Sequence, residues 1–300
     1  MRIDAHVHLW ERRCLPDQAI RLYLEPLNKL KELGLDDVFD FGLDDEEFPF
    51  PDYEERIEDY QEIMDVNRLD HMVVLGIDFG LVNEGRMTND EYMDWMFNKC
   101  SVDDRFLPFI GVDANRKDAC EKIRKYCKKY NPKGIKVYPA TGFYPDDPKS
   151  DDYWRTIDDL GLVVTTHTGM ALAPLDEKYC RPSMMQKVAE RYPDTKIIIA
   201  HLGGKFHDEL FPLMDACDNV YADCSALQGW FFEDKSMIHR RLHDCMERYP
   251  KRIVYGSDVP IYEFALSSSQ FIRFIEEGDW GTQTMKEDLM GNNMARILGL

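Results

Sequence analysis

Lys196-Ile197-Ile198-Ile199-Ala200-His201 is an apolar run that shows no alternation and ends on a histidine. A strand with one wet face alternates apolar and polar residues, whereas a parallel strand covered on both faces stays apolar throughout. Working outward, the same signature recurs along the chain. Strands are expected at 2–7, 71–77, 106–112, 134–138, 162–167, 196–201, 219–224 and 252–256. Helices are expected between and after them, at 53–67, 88–100, 116–130, 151–160, 181–192, 205–217, 235–249 and 264–276. In the first of these, Ile57, Tyr60, Ile63, Met64 and Asn67 follow the three-to-four spacing of one helix face. Eight strands alternating with eight helices predict an α/β fold, a closed (β/α)₈ TIM barrel, over an open doubly wound sheet. No glycine-rich phosphate loop follows any of the strands, which argues against a nucleotide site.

The chain of 300 residues, 44% hydrophobic, suits one barrel domain spanning 1–300. Its net charge of −19 disfavours nucleic acid and anionic membrane surfaces as partners. No run of about 18 apolar residues predicts a membrane span. The first residues turn polar at once, without a signal-peptide core. The eight cysteines lack a CxxC pair and read as reduced thiols, so a cytoplasmic location is expected. Two stretches depart from the barrel pattern. Residues 9–52 form an insertion after the first strand, either a solvated excursion or a lid, since it leaves the end where barrels carry their sites. Residues 139–149, rich in proline, glycine and aromatics, follow the fourth strand at the same end.

Asp4-Ala5-His6-Val7-His8 closes the first strand. Side chains alternate across a strand, so His6 and His8 share a face and can converge on one ion. His167 ends the fifth strand before Thr168-Gly169, and His201 ends the sixth before Leu202-Gly203-Gly204. Asp258 lies just past the eighth, two residues before Pro260. All sit at carboxyl ends of strands, where barrel enzymes place their chemistry. Accidental placement of four histidines and an aspartate at equivalent positions is the poorer explanation. His239 and His243 are four apart on a helix but lack the acid that HExxH requires, and His71 and His207 are expected to be structural.

The combination of HxH, two strand-end histidines and the strand-eight aspartate resembles the amidohydrolase superfamily. Gly134-Ile135-Lys136-Val137-Tyr138-Pro139, Thr166-His167-Thr168-Gly169, Ala200-His201-Leu202-Gly203-Gly204 and Gly256-Ser257-Asp258-Val259-Pro260 are similar to one branch of it. That branch contains aminocarboxymuconate-semialdehyde decarboxylase, hydroxybenzoate decarboxylases and pyrone-dicarboxylate lactonase. The closing residues 291–300 resemble that branch's last helix, so the likeness covers the chain except 9–52.

The resemblance implies one divalent ion per chain, Zn²⁺ or another such as Mn²⁺, held by His6, His8, His167 and Asp258. It implies that His201 and Asp258 are catalytic, His201 beside the ion's water and Asp258 relaying its proton. Lys136 has two readings: a free ammonium that binds a substrate anion, or a carboxylated lysine bridging two ions, with His167 and His201 on the second. Arg181 either grips a substrate carboxylate or lies on the surface. Tyr138, Tyr144 and Trp230 either line the pocket or pack the rim. Asp223 either supports a ligand histidine or caps a turn. The expected activity is hydrolysis of a small carboxylated or cyclic substrate of lactone, amide or ester type. The alternatives are a non-oxidative decarboxylase of an aromatic or dienoic acid and a non-catalytic ligand-binding barrel. A homodimer is the expected assembly.

Overall fold

The computed structural model describes residues 1–15, 56–80, 87–171, 174–263 and 266–300. The strands are β1 Ile3–Val7, β2 His71–Leu75, β3 Phe106–Gly111, β4 Gly134–Val137, β5 Val163–Thr166, β6 Ile197–Ile199, β7 Val220–Asp223 and β8 Ile253–Val254. They pair in sequence order, every pair parallel. The ring closes from β8 to β1. Ala5 N–H donates to Tyr255 O at 2.9 Å, Asp258 N–H to His6 O at 2.8 Å, and His8 N–H to Val259 O at 2.7 Å.

Among the described residues a helix follows each strand: α1 Ile57–Asn67, α2 Asn89–Cys100, α3 Ala119–Tyr130, α4 Asp151–Asp159, α5 Gln186–Arg191, α6 Leu210–Ala216, α7 Phe231–Arg248 and α8 Ser268–Glu277. Two short helices, α9 Gln283–Glu287 and α10 Asn293–Leu298, end the chain. Two of the starts are locally encoded. Thr88 and Glu91 form a capping box on α2, and Ser267 and Gln270 form another on α8.

Two helices are much shorter than their periodicity predicts. The expected helix at 181–192 opens as a 3₁₀ turn, Pro182–Met185, and becomes α-helical only from Gln186. That expected at 205–217 is preceded by the 3₁₀ stretch Ala200–Glu209, and α6 starts at Leu210. Pro212 explains the second start. Its ring would clash with the carbonyl four residues back, so α-geometry begins only where proline falls in the first turn.

The core has two layers. Ile197 and Ile199 of β6 pack outward with Val164, Val220 and the helices, while Ile198 belongs to an inner cluster with Val73, Leu75, Phe109 and Val254. Both faces of the strand are therefore apolar, as its unbroken run of isoleucines requires. Met294, Ile297 and Leu298 of α10 join the inner cluster. The insertion and its possible lid role fall mostly outside the described residues. Of its start, Leu9, Trp10, Glu11 and Leu15 are buried. The 139–149 loop folds into two short 3₁₀ turns, Pro139–Thr141 and Pro148–Ser150. Among the described residues no helix is long and apolar enough to cross a membrane, and all eight cysteines are unpaired.

Candidate metal centre

The register of β1 against β2 shifts between Asp4 and Val7, next to the HxH pair. Past that irregularity His6 and His8 both reach Asp258 Oδ1, each through Nε2 at 3.3 Å. Their other nitrogens decide what those Nε2 atoms carry. His8 Nδ1 lies 2.9 Å from Leu75 O, which can only accept, so the proton is on Nδ1 and Nε2 presents a lone pair. His6 Nδ1 lies 2.8 Å from the buried carboxylate oxygen Asp223 Oδ2, and the same logic bares its Nε2. Gly256 makes room for this approach: a side chain there would place its Cβ 2.7 Å from His6 Cβ.

Asp258 is buried, and its Oδ1 receives no hydrogen bond. Its backbone is left-handed (φ 64°), an unusual conformation for a non-glycine residue and one found where a site constrains the chain. Burial raises its carboxyl above the usual range, opposed by His8. Among the described residues the cation at hand is Lys136, 1% exposed, with Nζ 3.1 Å from His6 Nε2. Burial pushes this lysine down to about 8, against the pull of Asp223 and Asp258. Three acceptor atoms thus face one another around a single ammonium, a donor set suited to a divalent cation.

His201 (φ 60°) is also left-handed, on the close contact of two loops where Gly204 would place a Cβ 2.8 Å from Gly169 Cα. Its Nε2 lies 3.2 Å from His167 Nδ1. His167 Nε2 faces Met170 O at 3.0 Å, so it donates there and leaves Nδ1 bare toward the centre. His167 is half-buried and held down to about 3, by desolvation first and then by Lys136. Desolvation likewise holds His6 and His201 well below the ordinary histidine value. Among the described residues two tight groups of metal-capable atoms result: His6, His8 and Asp258, and His6, His201 and Asp223. His167 belongs to neither and joins them through His201.

The family profile described as amidohydrolase matches residues 3–300. The chain belongs to the amidohydrolase family. Members are metal-dependent hydrolases and related lyases, and the chain is an enzyme. A comparison with curated proteins finds no match. Among solved structures, a TIM-barrel protein of Bordetella bronchiseptica is 17% identical, with a TM-score of 0.70 over 99% of this chain and 98% of its own. A probable 2-pyrone-4,6-dicarboxylic acid hydrolase of Acinetobacter baumannii, crystallised with citric acid, is 14% identical, with a TM-score of 0.68 over 100% and 99%. A 5-carboxyvanillate decarboxylase of Novosphingobium aromaticivorans, holding manganese and a nitrobenzoic acid, is also 14% identical, with a TM-score of 0.65 over 100% and 96%.

Not every residue singled out in this amidohydrolase chain reaches the cluster. Arg181 turns outward: its guanidinium pairs with Glu209 and lies over the Phe206 ring at 4.5 Å, on a side chain 44% exposed. A fork paired with a neighbouring carboxylate fits the surface reading of the two given for this arginine. Tyr144 is exposed against Tyr179, and Trp230 lies under Arg241. Tyr138 does reach the site, its ring 4.7 Å from that of His167. His207, His239 and His243 donate to the carbonyls of Leu202, Phe274 and Trp280 and are structural.

Three residues of the site escaped the sequence reading. Trp10 stacks on His8 with ring centroids 4.6 Å apart, and its signal was its place two residues beyond the HxH pair. Asp4 accepts the N–H groups of His6 and Ser257 at 3.1 and 3.0 Å, and burial raises it to about 7. Ser225 lies between His6 and His201, and nothing local marked it.

Proposed function

We propose that the chain is a metal-dependent hydrolase acting on a small carboxylated or cyclic substrate of lactone, amide or ester type. One observation carries this reading. His6 Nε2, His8 Nε2 and Asp258 Oδ1 are buried and turned toward one another, and both rings carry their proton on the opposite nitrogen, Nδ1. With His167 Nδ1 completing the set, they would hold one ion, Zn²⁺ or Mn²⁺. Such an ion supplies Lewis acidity toward a water or a substrate oxygen.

The rest of the chemistry belongs to the chain. His201, neutral because it is desolvated, takes or returns a proton at Nε2. The Asp258 carboxylate relays a proton to the leaving group. The Lys136 ammonium orients a substrate carboxylate or polarises a carbonyl oxygen, which suits acyl chemistry. Tyr138 and Trp10 flank the ligand histidines and keep bulk water from their rings.

Turnover of lactones, amides and hydroxybenzoates in ¹⁸O-water tests the reading. Incorporation of ¹⁸O into the organic product supports hydrolysis. Release of CO₂ without ¹⁸O in the product overturns it in favour of decarboxylation.

A further inference from the structure

Asp223, at the end of β7, is wholly buried and used on both sides. Its Oδ2 accepts from His6 Nδ1 at 2.8 Å. Its Oδ1 accepts the backbone N–H groups of His201 and Ser225 at 2.9 and 3.1 Å, and also the Ser225 hydroxyl. Ser225 Oγ in turn lies 2.8 Å from His201 Nδ1 and 3.0 Å from His6 Nδ1.

A hydroxyl has one proton to give and two lone pairs to offer. A carboxylate is a stronger acceptor than a neutral imidazole, so the Ser225 proton goes to Asp223. The oxygen is left as an acceptor toward both histidines. His6 Nδ1 is already committed to Asp223 at the shorter distance. The proton that Ser225 must receive is therefore the one on His201 Nδ1.

We infer that Ser225 is a positioning residue that holds His201 as the Nδ1–H tautomer and bares its Nε2 toward the metal centre. The inference rests on the proton-handling role given to His201 above. The opposite tautomer would need His201 Nε2–H to donate to His167 Nδ1, 3.2 Å away. With an ion bound as proposed above, that lone pair would be engaged as a ligand and would be no acceptor. One buried carboxylate thus sets two histidines with different tasks: His6 directly, and His201 through one hydroxyl. When His201 takes a proton at Nε2, its Nδ1–H tightens on Ser225, and the negative charge of Asp223 lies one hydroxyl away. Direct contact with Asp223 instead would make His201 a partner as tightly bound as His6.

Long-range ¹H–¹⁵N spectra of the ¹⁵N-labelled, Zn²⁺-loaded chain read the tautomer, with the His201 signals assigned by their loss in His201→Asn. The expected pattern is a protonated Nδ1 and a bare Nε2. In Ser225→Ala the pattern should move to Nε2–H or to a mixture, with the bound Zn²⁺ unchanged. An Nε2–H pattern in the wild type, or an unaltered Nδ1–H pattern in Ser225→Ala, overturns the inference. Should Ser225→Ala fail to fold, the wild-type spectrum decides alone. A chain that takes up no Zn²⁺ sinks the proposed function, whereas a Zn²⁺-loaded chain with the Nε2–H pattern sinks this inference alone.

Discussion

Two sets of side chains share the interior of the barrel. One is apolar: Ile3, Val73, Leu75, Phe109, Ile198 and Val254, joined by Met294 of α10. The other is polar: His6, His8, Lys136, His201, Asp223 and Asp258, almost all as deeply buried. The first gains from leaving water, about 1.5–3 kcal/mol for a large side chain. The second loses by it, since every charge or lone pair buried without a partner costs solvation. Burial pushes His6 and His201 down, Lys136 down and Asp258 up, each toward its neutral form. One set makes the barrel stable. The other is held in place at a cost that a bound cation would offset.

The largest test of that contrast is removal of a ligand atom. Asp258→Ala or His6→Ala should lose both the ion and all measurable turnover, with metal content falling from about one per chain. Full occupancy by mass-spectrometric metal analysis in either variant would take that residue out of the ligand set. Phe109→Ala, in the apolar set, should instead cost about 3–5 kcal/mol in denaturant unfolding, while the folded fraction keeps its metal. Loss of metal without loss of stability would break the division between the two sets.

His201→Asn lies between these extremes. It should keep the fold and the metal while kcat falls about 10²–10⁴-fold. Near-normal kcat on the true substrate would reduce this histidine to a structural role.

Acid should separate the sets more gently, because only one of them titrates. The unfolded chain protonates its histidines near pH 6.5, whereas folded His167 resists until about pH 3. Within that window the unfolded state binds more protons, so this residue's contribution to stability is present above pH 6.5 and lost as pH falls. In metal-free protein, thermal unfolding from pH 7 to 4 should therefore decline less steeply for His167→Asn than for the wild type. Equal slopes would show that His167 is not desolvated. The smallest effect is expected for Arg181→Ala. An exposed pair with Glu209 contributes at most about 1 kcal/mol, and kcat/KM should not change. A tenfold rise in KM would return Arg181 to the substrate.

The eight strands, their order and the helices between them were legible from the chain alone, because local periodicity records which faces are covered. The unbroken isoleucines of β6 needed no partner to announce a strand buried on both sides. Legible too were the histidines and the aspartate at the strand ends, since the barrel turns strand-end position into proximity. Helix starts were less so. Pro212 alone moved the beginning of α6, a steric effect that an apolar pattern does not carry.

What only the tertiary structure decided is which lone pairs face inward. The tautomer of His6 depends on Asp223, 217 residues away, and Ser225 meets His6 across 219. Asp4 ties β1 to Ser257 across 253. Arg181, close in the chain to His167, was drawn off by Glu209. A ring nitrogen's proton belongs to whichever acceptor the folded chain brings to its other side. For His6 and His8 that acceptor comes from another strand of the closed barrel, where spacing along the sequence carries no record of it.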